Sequence, residues 1–142
     1  MAKAIPYILV KNGKKAIKLY EDIFDAKLIR HEPFNKEMGQ NFGFPDNFDY
    51  DNSTMHARVE IYGAIIYLAD NILAEEFKSS GNVEITLDLD NKEQLEKIYE
   101  KAKKQGSKIK MELEKTFWGA YFARFEDTEG IGWQLNFSEN PQ

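Results

Sequence analysis

The strongest constraint in this sequence is that its order of elements runs twice. Ile5 to Val10 alternates as a strand does, and Asn12 is placed to cap a helix over Gly13 to Phe24, where Ala16, Ile17, Leu19, Tyr20, Ile23 and Phe24 fall at helical spacing. A strand at Ala26 to His31 follows. Two alternating runs, Met55 to Tyr62 and Ala64 to Asp70, then break at Gly63 in the manner of a hairpin. The order returns with a strand at Val83 to Leu89 and a helix capped by Asp90 or Asn91. That helix carries Leu95, Ile98, Tyr99 and Ala102 on one side and closes at Gly106. Strands follow at Ser107 to Leu113, Trp118 to Glu126 and Gly132 to Phe137.

A chain that spells strand, helix and three strands twice is predicted to be of the α+β class, built from two βαβββ modules. Their bounds are about 1–72 and 82–142, joined by a linker through Ser79, Ser80 and Gly81. At 142 residues the two modules make one domain of ordinary size. Two alignments support duplication. One shift lays Asn12 and Tyr20 on Asn91 and Tyr99; another lays Ala57-Arg58-Val59-Glu60 on Ala123-Arg124-Phe125-Glu126. Between the first helix and the hairpin, Pro33 to Thr54 is rich in Asn, Asp, Gly and Phe without sustained periodicity and reads as a long loop. Its Phe42, Phe44, Phe48 and Tyr50 make it too aromatic for a plain connector, so it is expected to act as a lid or to contact a partner subunit.

Because side chains alternate across a strand, each strand divides into two faces. One collects Ile8, Val10, Ala57, Val59, Ile61, Ile66, Leu68, Ile85, Leu87, Leu89, Ala123, Phe125, Trp133, Leu135 and Phe137, and is the expected core. The other collects Tyr7, His56, Arg58, Glu60, Tyr67, Glu84, Thr86, Asp88, Phe122, Arg124, Glu126, Gln134 and Asn136. On flat sheets that second face is a wet surface. On sheets that curl toward each other it lines a cleft.

Composition narrows the chemistry. With no cysteine there are no disulfides, thiolate metal sites or cysteine nucleophile, which is compatible with a reducing cytoplasm. Nineteen basic residues against 24 acidic ones, a net charge of −5 with no basic patch, argue against nucleic acid as a partner. No run approaches the roughly 20 apolar residues of a membrane span, and the N-terminal MAKAIPYILVKNG lacks the pattern of a signal peptide. A cytoplasmic protein is expected.

The residues with chemistry to offer lie on the polar face. His56 can serve as a general acid or base near neutral pH, or be a hydrogen-bonded histidine at a strand start. Glu84 in partly apolar surroundings can have a raised pKa and take a proton from a carbon acid, or form a salt bridge to Arg58 or Arg124. Arg58 and Arg124 can clamp a carboxylate, phosphonate or enolate, or pair with Glu60 and Glu126 and hold the sheet. Tyr7, Tyr67, Phe122 and Trp118 supply an aromatic wall for a flat or apolar ligand, or plain packing.

The segments IPYILV (5–10), AIKLYEDIFDAKLI (16–29), MHARVEIYGAIIYLAD (55–70) and TFWGAYFARFEDTEGIGWQLNF (116–137) resemble the vicinal oxygen chelate superfamily, which holds glyoxalase, bleomycin-resistance and dioxygenase proteins. The resemblance is nearest to its PhnB-like branch. It rests most on Pro6-Tyr7, on Tyr20 and Phe24 at the helix end, on Met55-His56, and on the block from Phe117-Trp118-Gly119 to Trp133. Asp25 stands where the family usually has glycine. The resemblance implies two βαβββ modules forming a curved mixed sheet around a small-molecule site, usually in a homodimer. Metal-dependent members carry four ligands, which map here onto Ile5, Tyr67, Glu84 and Gln134.

Of those four only Glu84 is a good ligand, so no tightly held metal and no other cofactor is expected. No glycine-rich strand-loop-helix signature for a nucleotide-like cofactor appears either. The expected activity is binding of a small organic molecule by Tyr7, Arg58, Tyr67, Trp118, Phe122, Arg124 and Gln134, with sequestration or modest acid-base chemistry at Glu84 and His56. The alternatives are a metal-dependent enzyme of the glyoxalase type and a non-catalytic interaction protein.

Overall fold

The computed structural model describes residues 1–72 and 80–139; of the expected linker, Ser79 lies outside them. The first module runs β1 (Tyr7–Val10), α1 (Gly13–Phe24), β2 (Lys27–Glu32), α2 (Lys36–Phe42), β3 (His56–Ile61) and β4 (Ala64–Asp70). The second runs β5 (Ile85–Asp88), α3 (Lys92–Lys104), β6 (Lys108–Lys115), β7 (Ala120–Glu126) and β8 (Gly132–Ser138). Each module makes a four-stranded mixed sheet of the same topology, β1-β4-β3-β2 and β5-β8-β7-β6. In both, the first and fourth strands pair in parallel and the other neighbours antiparallel.

The duplication extends to the caps. Asn12 accepts the Lys15 N–H and Asn91 the Gln94 N–H, each satisfying a backbone donor that the first turn of its helix leaves free. The β3–β4 hairpin turns at Tyr62 and Gly63, both at positive φ (48° and 88°), the twist that a two-residue loop between right-handed strands requires. At the end of α1, Asp25 takes the left-handed conformation (φ 52°, ψ 35°) that the family's glycine would adopt freely, and its N–H bonds back to the Tyr20 carbonyl.

The long connection is not all loop. Lys36–Phe42 is helical, capped by Asn35, which accepts the Met38 N–H, and by Gly43 at φ 75°. Seven residues are too few to display a period, and Gly39 sits among them because Tyr50 covers it: a β-carbon there would lie 1.8 Å from the Tyr50 hydroxyl. The aromatic residues beyond it pack on one another, Phe44 stacking on Phe48 at 4.2 Å and Phe34 meeting Phe44 edge-on at 5.2 Å.

Contacts divide the chain into two compact units, Met1–Glu21 with Asp25–Phe77, and Asp22–Phe24 with Lys78–Gln142. Val10, Ala57, Val59, Ile61 and Leu68 are fully buried in the first. In the second, Ala123, Phe125, Trp133 and Leu135 are fully buried, as are Leu95 and Ile98 on α3, which packs on β6, β7 and β8. Phe24 also belongs there, 4.7 Å from the Trp133 ring. Side chains of this size stabilise a fold by about 1.5–3 kcal/mol each when removed from water. Ile85 and Phe137, expected in the core, are only partly buried because they lie toward strand ends. A clasp closes the first unit: Asp70, ending β4, accepts the Gly13 N–H at 2.6 Å and the Thr54 N–H at 2.8 Å, and Thr54 Oγ1 bonds His31 Nε2 at 2.9 Å.

Candidate functional site

Register decides which polar side chains meet. In the first sheet Tyr7, Tyr67 and Arg58 are successive Cα partners across β1, β4 and β3, so they stand in one row. His56 lies two residues before Arg58 and shares its face. The Tyr7 hydroxyl lies 3.0 Å from His56 Nδ1, and the His56 ring meets Tyr67 at 4.9 Å in a near-perpendicular contact. Tyr7 and Tyr67 are edge-to-face at 5.9 Å. The Arg58 guanidinium carbon sits 5.7 Å from the centre of the Tyr67 ring. Desolvation raises the pKa of the Tyr7 phenol, which keeps it protonated as a hydrogen-bond donor.

The second sheet builds the equivalent row from Thr86, Gln134 and Arg124 on β5, β8 and β7. Glu84, just before β5, folds over that row. Its Oε1 accepts Arg124 Nε at 2.7 Å and Gln134 Nε2 at 2.9 Å, and its Oε2 accepts Arg124 Nη2 at 2.8 Å and Lys110 Nζ at 3.4 Å. Thr86 Oγ1 donates to Gln134 Oε1 at 3.1 Å. The space for this arrangement comes from Gly132, where a β-carbon would lie 2.9 Å from Glu84 Cγ.

These contacts select the salt-bridge reading of Glu84. The hydrogen bonds from Arg124 lower the Glu84 pKa to about 2, against the opposing pull of burial, with Gln134 and Lys110 assisting. The Glu84 side chain is 7% exposed. The raised pKa expected of a proton acceptor is therefore absent: the carboxylate is ionised throughout the neutral range and engaged by two cations. Arg124 bonds Glu84 rather than Glu126, and among the described residues no carboxylate lies within ion-pair range of Arg58.

The aromatic residues expected in the wall come from both sheets and from a turn. Tyr7 and Tyr67 are together on the first sheet. Phe122 lies on the second sheet, two residues before Arg124, with Asn136 as its strand partner. Trp118 is in the turn between β6 and β7, 62% exposed, and its ring contact is with Phe117 at 4.7 Å. Lys110, on a strand that the sequence assigns to neither face, reaches Glu84 from β6, where the register shifts between Ile109 and Met111.

The four positions at which the resemblance puts metal ligands do not fit a divalent ion. Ile5 has no donor atom, Tyr67 is a phenol set between His56 and Arg58, both Glu84 oxygens are held by cations, and Gln134 Oε1 is already accepting from Thr86. Among the described residues no group of three or more His, Asp or Glu side chains gathers as a metal would need. Nor is any described helix long and apolar enough to cross a membrane.

Comparison with known proteins agrees with this architecture. No curated protein matches the sequence. Among solved structures, protein PA1353 from Pseudomonas aeruginosa superposes with a TM-score of 0.77 at 25% identity, covering 99% of this chain and 100% of the other. The PhnB protein from Bacillus cereus superposes with a TM-score of 0.74 at 16% identity over 96% and 100% of the two chains. The fosfomycin resistance protein FosX from Listeria monocytogenes gives 0.66 at 15% identity over 97% and 93%. The sequence description of the Glyoxalase/Bleomycin resistance protein/Dioxygenase superfamily matches residues 4–135. With two βαβββ sheets of one topology and a match over nearly its whole length, the chain belongs to that superfamily, the vicinal oxygen chelate proteins.

Proposed function

We propose that this protein is a PhnB-like member of the superfamily that binds a small organic molecule without a tightly bound metal, by sequestration or with modest acid-base chemistry. The observation that carries the reading is the contact chain Tyr7–His56–Tyr67–Arg58 on the first sheet, with Tyr7 49% exposed. An ordinary solvated sheet face has no call for three contacting rings beside a cation, whereas a ligand site combines apolar area with a few convergent polar groups.

In this reading Tyr7, Tyr67 and Arg58 hold the ligand, and His56 is the group that exchanges a proton with it. Glu84, Arg124 and Gln134 keep the second sheet's polar face in a fixed shape and charge, to which Phe122 adds apolar area, while Trp118 offers an exposed ring from the β6–β7 turn. The metal-free part rests on the donor chemistry at Ile5, Tyr67, Glu84 and Gln134. The protein acts as a homodimer in the cytoplasm.

A thermal-shift screen of metabolites and antibiotics tests the reading. A ligand at about 100 times its Kd stabilises the fold by about 2.7 kcal/mol, and the shift is expected to vanish in Tyr67→Ala and to survive EDTA. An empty screen, or protein purified without chelator that carries near one divalent ion per chain, overturns it. Light scattering checks the assembly, which is expected at twice the 16.5 kDa chain mass.

A further inference from the structure

The two modules treat matching arginines differently. Arg58 and Arg124 hold the same place in their sheets, each paired with a fourth-strand residue, Tyr67 or Gln134, that is paired in turn with Tyr7 or Thr86 of the first strand. Two residues before Tyr7 and Thr86 stand Ile5 and Glu84. Glu84 brings its carboxylate to the Nε and Nη2 edge of Arg124. Ile5 has no oxygen to bring.

The Nε of Arg58 is correspondingly buried without a hydrogen-bond partner. Such an orphaned donor is uncommon in a folded protein and asks for an acceptor. The neighbouring charges do not provide one. Arg30, the Cα partner of Arg58 on β2, is bonded to Glu32, and Glu60, two residues along β3, has Lys27 as its strand partner.

We propose that Arg58 receives the carboxylate of the bound molecule, in the manner in which Arg124 receives that of Glu84, while the rings of Tyr7, His56 and Tyr67 hold its flat or apolar body. The ligand class is a small aryl or alkyl monocarboxylate. The planar fork matches a carboxylate at two points, and one uncompensated cation is balanced by one negative charge rather than two. The inference rests on the small-molecule reading above and adds the ligand's charge and the atom that meets it.

Benzoate and its neutral analogue benzamide are suitable probes, followed through the Arg58 Nε–Hε resonance by NMR. Benzoate is expected to move that resonance and to bind about tenfold more tightly than benzamide. The preference is expected to disappear in Ile5→Glu, where a built-in carboxylate takes the edge, and in Arg58→Gln, which removes the fork without adding a charge. If both probes bind with equal affinity and the Arg58 resonance stays still, the carboxylate assignment is overturned and the small-molecule reading stands. If neither probe binds and the thermal-shift screen is empty as well, both fall together. A benzoate preference that persists in Arg58→Gln also overturns the assignment.

Discussion

Arg124 and Glu84 meet at two points, Nε to Oε1 at 2.7 Å and Nη2 to Oε2 at 2.8 Å, across 40 residues of sequence. Because the pair lowers the Glu84 pKa from 4.5 to about 2, the folded state holds this proton less tightly than the unfolded chain. Its contribution is complete above the ordinary carboxylate range and is lost as pH falls from about 4.5 toward 2. Glu84→Gln is expected to cost ~2 kcal/mol at pH 7, since Arg124 and Lys110 lose their counter-charge, and to flatten stability between pH 5 and pH 2. Urea unfolding at a series of pH values measures both effects.

Gly132 is required by volume rather than by backbone conformation. A methyl group there meets Glu84 Cγ at 2.9 Å and Oε2 at 3.2 Å, so Gly132→Ala is expected to displace the carboxylate from Arg124. The cost is about 1–3 kcal/mol, and the Glu84 titration, followed by carboxyl-carbon NMR, moves up toward 4.5.

The Asp70 clasp joins the start of α1, through Gly13, to the segment entering β3, through Thr54. Asp70→Asn keeps one acceptor oxygen but loses the charge and one of the two bonds, with an expected loss of about 1–2 kcal/mol. Gly13→Ala is expected to act on the same joint by pushing a β-carbon to 2.5 Å from Thr54 Cβ. Faster amide exchange at Gly13 and Thr54, with little change on the second sheet, identifies the joint as the point of damage.

His31 titrates below its ordinary 6.5, because burial and the Lys14 charge disfavour the imidazolium more than Asp70 favours it. The unfolded chain therefore takes up this proton first, and the fold loses stability as pH drops below 6.5. His31→Gln is expected to remove that part of the slope, and the His31 ring-proton shift followed by NMR gives the midpoint directly.

The regular elements were legible because their causes are local. Period-two alternation marks the strands, and Asn12, and Asp90 or Asn91, mark two helix starts, which the structure caps through the side chains of Asn12 and Asn91. Helix α2 shows no readable period, because Asn35 and Gly43 enclose only seven residues and Gly39 makes sense only with Tyr50 lying over it. Trp118, read as a strand start, belongs to the turn that Gly119 closes at φ 86°.

The sequence by itself determined the doubled βαβββ order, the apolar face of each strand, and the row of polar and aromatic residues that turns away from it. Tertiary structure alone decided the partners. Residues two apart on a strand, such as Arg124 and Glu126 or Arg58 and Glu60, share a face yet stand roughly 7 Å apart along the chain, so a side chain folding over from another strand can take the guanidinium instead. Arg124 bonds Glu84, whose side chain reaches from the segment before β5 across β8 to β7, and Arg58, where the corresponding residue is Ile5, is left with a buried Nε that has no partner.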